Sequence, residues 1–358
     1  MKVIIDGFGA EKHLPCLAHI LNLVPSKLIE SDEMINPIHI KVKEIVTHFK
    51  KSIPSSDALR AVTSHKLTQS VDTRWNSAYE MYEEFIELFD VIAPILLKNV
   101  SAPEMLSANE LQVITEFEKL LKPFKKATDI VNGEAYVTGR QAIPIIKNLK
   151  ERLNSSIVNT DVRRYMKRKL TTEFTQRFEH IKKMTLVATS TLLDPRFKRL
   201  YFSDALACSQ ATNKNSTSLH DRISETLTES CENASSNSQK QSLEKDGFWS
   251  HHNILVQQNK SFQALNQNRN EMPEELRYYL KEPVIDYDQN PLKFWNRYDS
   301  ALSKIAMRYF TVIATSVPSE GLFSQATLIL TEKRNRLTAE HFQQLLFLTC
   351  LSLADWNL

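Results

Sequence analysis

The chain has 358 residues, 42% of them hydrophobic, and a formal net charge of +3, which suits roughly two domains with a sizeable core. Only 6 glycines accompany long runs of Leu, Ile, Phe, Glu and Lys; this excludes a turn-dense β-sandwich or barrel and predicts a mostly helical chain. No apolar run approaches the ~20 residues of a membrane span, no secretory leader opens the sequence, and Cys16, Cys208, Cys231 and Cys350 form no C-x-x-C pair, so reduced thiols in an intracellular protein without membrane contact are expected.

The first predicted element is a β-like run at Val3-Ile4-Ile5, broken at Gly7 and Gly9. Such an early strand resembles the tail of a larger sheet. An apolar helix is expected after Pro15. From Ser77 the spacing of Tyr79, Tyr82, Phe85, Ile86, Phe89 and Ile92 is helical, with Pro94 as the expected interruption. Ser107 opens the next helix as N-cap, with Glu110 reaching back, and Leu111, Ile114, Phe117, Leu120 and Phe124 form its apolar stripe. Further helices are expected over about 140–155 and 160–183.

Residues 203–246 are rich in Ser, Asn, Thr, Gln and charge. They bury too little apolar area to offset ordering entropy and are expected to be disordered, which exposes Cys208 and Cys231. Order is expected to return at Phe248-Trp249, and Leu302, Ile305, Ala306, Tyr309 and Phe310 make a helix face. The last helix is expected over about 338–353. Phe342, Leu345, Leu346, Phe347, Leu348, Leu351 and Leu353 leave its second half almost without a polar side. Such a helix is covered on more than one side, either within its own core or by another subunit.

Chemistry-bearing motifs are sparse. Cys16 and His19 form C-x-x-H, but a closed zinc site needs four ligands, and His39, His48 and His65 bring no paired spacing. His251-His252 has no second pair either. The sequence holds no nucleophile elbow, P-loop, dinucleotide fingerprint or H-E-x-x-H, so no cofactor and no small-molecule substrate are expected. Basic residues cluster at 163–169, 182–183, 196–199 and 333–336. On a helix, Arg163 and Lys167, and Arg164 and Arg168, fall four apart and suit a phosphate backbone.

Five stretches together resemble the hAT transposases and the zinc-finger BED domain-containing proteins: LPCLAHILNLV (14–24), VDTRWNSAYEMYEEF (71–85), TLLDPRFKRL (191–200), NPLKFWNRY (290–298) and TSVPSEGLFSQATLILTEKRNRLTAEHFQQLLFL (315–348). That resemblance implies a ribonuclease H-like catalytic domain interrupted by a large helical insertion, with three carboxylates holding two divalent metals. It puts Glu320 at the third carboxylate, Cys16 and His19 at the family's C-x-x-H, and Arg74 and Trp75 at its Thr-Arg-Trp. Two-metal chemistry needs several acids around ions ~4 Å apart, and one glutamate does not supply them. The family's first two acids precede the C-x-x-H. Asp6 stands there but lacks the usual following Asn, Gly321 replaces an Arg, Ala326-Thr327 replaces an Ala-Gly, and the sequence contains no BED finger.

The expected fold is therefore mostly α with a small α/β part: a partial ribonuclease H-like fold, a large all-helical insertion and C-terminal dimerisation helices. The expected divisions are 1–76, the ribonuclease H-like remnant; 77–282, the insertion; and 283–358, the dimerisation region. The expected function is that of a nuclear, non-catalytic homodimer without bound metal, in which Glu320 is vestigial. Phe342, Leu345, Leu346 and Leu348 are the expected dimer residues, with Leu345 and Leu348 turned to their own chain and Phe342 and Leu346 to the second copy. Arg74, Trp75, Arg163, Arg164, Lys167, Arg168, Lys333, Arg334 and Arg336 are the candidates for sequence-indifferent contact with double-stranded DNA. The alternative is a metal-dependent transposase fragment whose first two acids lie upstream; an adaptor acting through the helical insertion is a third class.

Overall fold

The computed structural model describes residues 14–71, 75–99, 101–133, 139–182, 184–202, 248–249, 251–256, 273–316, 322, 326–330 and 337–350. In chain order the helices are α1 (Leu17–Ser31), α2 (Ile35–Lys51), α3 (Ile53–Val62), α4 (Trp75–Glu87), α5 (Phe89–Leu97), α6 (Ala108–Gly133), α7 (Gly139–Ser155), α8 (Asp161–Lys182), α9 (Thr185–Leu193), α10 (Glu274–Lys281), α11 (Pro291–Trp295), α12 (Ala301–Phe310) and α13 (Ala339–Cys350). Among the described residues extended pairing is limited to isolated bridge positions at Val71 and Ile313. The expected α/β part is therefore missing from the described fold; Val3–Ile5 and Asp6 lie outside it, as do 203–246 with Cys208 and Cys231.

Helix α1 packs against α2, α4, α6 and α8, burying Leu17, Leu21, Val24 and Leu28. Local polar chemistry sets the angles of this first bundle. Asp32 Oδ1 accepts from the backbone N–H of Met34 and Ile35 at 3.0 and 3.2 Å, capping α2. Its other oxygen accepts from the Tyr165 hydroxyl at 2.9 Å, which fastens the α1–α2 turn to α8. Buried His39 pairs through Nδ1 with the Tyr82 hydroxyl at 2.7 Å, joining α2 to α4. The expected capping box opens α6: Ser107 N–H donates to Glu110 Oε2 at 2.8 Å and Glu110 N–H to Ser107 Oγ at 3.3 Å. Pro94 does not interrupt its helix. The break falls at Leu88, and Asp90, whose carbonyl loses its helical donor at Pro94, is exposed together with Pro94.

The apolar core runs without interruption from Leu17 to Ala314, and the C-terminal elements enter it through a buried ionic turn after α9. Asp194 is fully buried. It accepts from Arg196 N–H and Nε on Oδ1, both at 3.0 Å, and from Arg196 Nη2 on Oδ2 at 2.8 Å. Arg140 Nε of α7 lies 3.2 Å from the same Oδ2. Arg196 also donates to the Tyr287 carbonyl, and Lys198, 3% exposed, donates to the carbonyls of Tyr279 and Glu282. The end of α9 is closed from the same side. Its Leu192 and Leu193 carbonyls accept from the Tyr279 hydroxyl at 3.1 Å and Trp295 Nε1 at 3.0 Å, satisfying acceptors a helix end leaves open. RFKR at 196–199 thus reads as a surface cluster in sequence but buries Arg196 and Lys198; only Arg199 is exposed.

Truncating Asp194 removes the acceptor shared by the Arg196 and Arg140 guanidinium groups in a largely desolvated turn. Asp194→Ala is expected to lower unfolding free energy by ~3–5 kcal/mol, read by urea denaturation, against a much smaller loss for the exposed Arg199→Ala. A pH dependence follows from His252, which is 2% exposed. Burial, with Arg196 and His251 adding and Asp194 opposing, pushes its imidazole down to about 4 from 6.5. The unfolded chain takes up that proton below pH 6.5 and the folded one only near 4, so stability falls across this window by about 3 kcal/mol. His252→Gln should flatten that slope by one proton in denaturation curves taken from pH 7 to pH 4.

Candidate functional site

The C-x-x-H lies where residues 312–316 cross the starts of two helices. Leu17 N–H, opening α1, donates to the Ala314 carbonyl at 2.8 Å, and Gly139 N–H, opening α7, donates to the Val312 carbonyl at 2.6 Å. A Cβ at Gly139 would stand 3.0 Å from Val312 Cγ1, so glycine permits this crossing. Ser316 N–H donates to Cys16 Sγ at 3.2 Å. The thiol therefore serves as an acceptor on the crossing chain, while His19 is exposed on α1. Among the described residues no three His, Cys, Asp or Glu side chains are grouped to hold a metal. Glu320, just beyond this crossing, lies outside the described residues, as do Arg74, Lys333, Arg334 and Arg336.

Trp75 is a core residue. It is 3% exposed and packs edge-on to Tyr79, and its backbone N–H donates to Asn22 Oδ1 of α1 at 3.2 Å. Its ring is unavailable to a nucleic acid, because the helix that Trp75 opens turns it into the bundle.

The basic run on α8 divides by face. Arg163 points inward and pairs with Glu116 of α6 at 2.7 Å, both side chains being about 15% exposed. Lys167 Nζ donates to the Asn154 and Ser156 carbonyls at 2.6 and 3.0 Å, closing the end of α7. The Arg163/Lys167 pair is thus committed within the protein and does not form a free phosphate-tracking stripe. Arg164 and Arg168 are exposed; Arg164 pairs with Asp161, and Arg168 lies 5.9 Å from the Tyr165 ring centroid. With Lys167, Thr171, Thr172 and Thr175 they line an open groove of about 670 Å³. The three threonine hydroxyls donate to carbonyls four residues back, so their protons are used. Donation to an anion in this groove falls to Arg164 and Arg168.

On α13 the apolar groups form two sets. Phe342, Leu345 and Leu346, at i, i+3 and i+4, make one half-buried stripe. Phe347 and Leu348 are 65% and 45% exposed. Leu348, expected against its own chain, is exposed although it lies only about 60° around the helix from Leu345, and Phe347 follows on the far side of that stripe.

Two family models match the chain. The hAT family C-terminal dimerisation region matches residues 275–349, spanning α10 to α13. The ZBED1 RNase-like helical domain matches residues 14–120, from the C-x-x-H through the first half of α6. The chain is derived from the hAT transposases. It is 26% identical over 95% of its length to the human zinc finger BED domain-containing protein 4, covering 29% of that protein. It is also 24% identical over 94% of its length to the Zea mays protein named "Putative AC transposase", covering 44% of it. The chain thus spans less than half the length of these curated relatives. Within this hAT-derived chain, the residues that reasoning from sequence missed are Asp194 and its partner Arg140; the signal was the Asp-Pro immediately before RFKR.

The two faces of α8 give opposite expectations. Arg163→Ala should cost ~1–3 kcal/mol of stability, because it leaves Glu116 half-paired, and should leave the salt dependence of DNA binding unchanged. Arg164→Ala with Arg168→Ala should leave the unfolding midpoint nearly unchanged and lower the slope of log K against log salt by ~2, about 0.9 per lost phosphate contact. Fluorescence anisotropy with duplex DNA over a salt series reads both.

Proposed function

We propose that this hAT-derived chain works as a homodimer joined through its C-terminal region, touches DNA weakly and without sequence preference, acts in the nucleus, and does not itself cut DNA. The observation that carries this reading is the outward pair on α13. Phe347 and Leu348 stand side by side in water at 65% and 45% exposure, at the end of the segment matched by the family's dimerisation region. An isologous contact about a two-fold axis covers the same residues on both copies. The half-buried Phe342, Leu345 and Leu346 stripe sets the orientation of that face.

The non-catalytic part rests on the departures around Glu320, Gly321 for Arg and Ala326-Thr327 for Ala-Gly, and on the commitments of the described carboxylates. Asp194 is neutralised by two guanidinium groups, and Asp32 is used as a helix cap and a tyrosine acceptor. DNA contact is assigned to the exposed Arg164 and Arg168 on α8, and nuclear action follows from DNA as the partner. The divisions at 76/77 and 282/283 describe descent; the packing unit in the described residues is continuous across both.

Equilibrium sedimentation tests the dimer. At micromolar concentration the parent should sediment as a dimer and Phe347→Ala with Leu348→Ala as a monomer, with helical content retained in both. Loss of two buried large side chains removes a few kcal/mol, enough to weaken association by a hundredfold or more. A monomeric parent would sink the reading. Mg²⁺- or Mn²⁺-dependent nicking of DNA that disappears in Glu320→Gln would replace it with the transposase alternative.

A further inference from the structure

The continuous apolar core ends at Ala314. Beyond Thr315, Ile329 is the one buried side chain among the described residues, and the other apolar groups there stand half-buried or in water. Leu328 and Leu330, which flank Ile329, are 69% and 54% exposed. They sit on a single helical turn over residues 326–330, closed by the Leu330 N–H donating to the Ala326 carbonyl at 2.9 Å. At 100° per residue the neighbours of Ile329 fall to either side of it, so its burial leaves a leucine on each flank.

Exposure alone does not mark a contact. Ile53 and Leu97 are 74% and 84% exposed, but α3 and α5, which carry them, are seated on the core through Leu59 and Leu96, and single exposed apolar groups are ordinary on such helices. The segment beyond Thr315 has no such seat, and it lies within the match to the family's dimerisation region. Area decides what that segment is for. A stable contact between copies buries ~800 Å² on each. A whole aromatic side chain supplies only about 150–250 Å², so the partly exposed Phe347 and Leu348 together furnish well under half of it. Further surface has to join them. Among the described residues of the matched region, Leu328 and Leu330 are the most exposed aliphatic side chains. Leu330 and Thr338, just before α13, are eight positions apart, at most ~28 Å, so one interface of this size reaches both.

We propose that Leu328 and Leu330 form a second patch of the contact between two copies of this chain, alongside the α13 face. This inference rests on the dimer reading and extends it to residues 326–330, which that reading does not use.

Sedimentation of the full chain over a concentration series tests it. Leu328→Ser with Leu330→Ser should raise the dimer Kd at least tenfold, and should leave the unfolding midpoint of the dilute monomer unchanged, because both side chains already stand in water there. Ile53→Ser with Leu97→Ser should keep the Kd within about twofold of the parent. A dimeric parent whose Kd is unchanged in Leu328→Ser with Leu330→Ser overturns this proposal and leaves the α13 contact standing. An equal shift in Ile53→Ser with Leu97→Ser overturns it too, while a monomeric parent overturns both readings. A second measurement guards against a misfolded variant. A photo-crosslinking phenylalanine analogue replacing Leu328 in the otherwise unmutated chain should give a covalent dimer on irradiation at micromolar concentration, and the same analogue replacing Leu97 should give none. Absence of the crosslink at position 328 in a dimeric chain also overturns the proposal.

Discussion

The turn that follows α9 is fastened to the bundle by one buried carboxylate. Asp194 gathers Arg140 from α7 and Arg196 from its own turn, and Arg196 then reaches Tyr287. An isolated carboxylate in this position would be prohibitively costly. Two guanidinium groups and a backbone N–H make it tolerable and impose one geometry, since a planar fork and a carboxylate meet in few ways. Lys198 adds a second constraint. Its backbone takes a φ of 44°, a conformation unfavourable for a residue with a side chain, and the ammonium then lies against the carbonyls of Tyr279 and Glu282. Burial, opposed by Glu282, pushes its ammonium down to about 8.

The hub also organises the aromatic residues around it. The Arg196 guanidinium lies 4.9 Å from the Phe197 ring centroid and 5.3 Å from that of Tyr287, and these rings form the wall on which Trp249 stacks. Arg140 lies 4.4 Å from the Phe310 ring centroid on α12. One ionic turn thus positions both the socket for the Phe248-Trp249 pair and the helix that leads into residues 312–316. That crossing segment in turn ties together the starts of α1 and α7.

Charge count and charge placement part company in this protein. The sequence has 45 Lys and Arg against 42 Asp and Glu, and its clusters invite a nucleic-acid reading. The fold spends much of that charge internally. Arg163 neutralises Glu116, Lys167 closes the end of α7, and Arg196 and Lys198 hold the C-terminal segment. What remains outward on α8 among its described basic residues includes Arg164, Arg168 and Lys169, a small footprint that suits weak, salt-sensitive contact.

The sequence by itself determined the helical character, the apolar stripes of α4, α6 and α12, the Ser107–Glu110 cap and the similarity to hAT proteins. Each of these depends on residues within a few positions of one another, where periodicity and capping chemistry act. It did not determine that Pro94 continues a helix, that Trp75 is core, that Arg196 and Lys198 are buried, or which apolar groups of α13 face outward. Those outcomes depend on partners far along the chain: Asn22 for Trp75, Arg140 and Tyr287 for the ionic turn, Glu116 for Arg163. A basic or aromatic residue looks the same in sequence whether a distant acid or ring awaits it or water does. Only the tertiary structure decided between them, because desolvation and pairing energies are set by what the folded chain brings within a few ångströms.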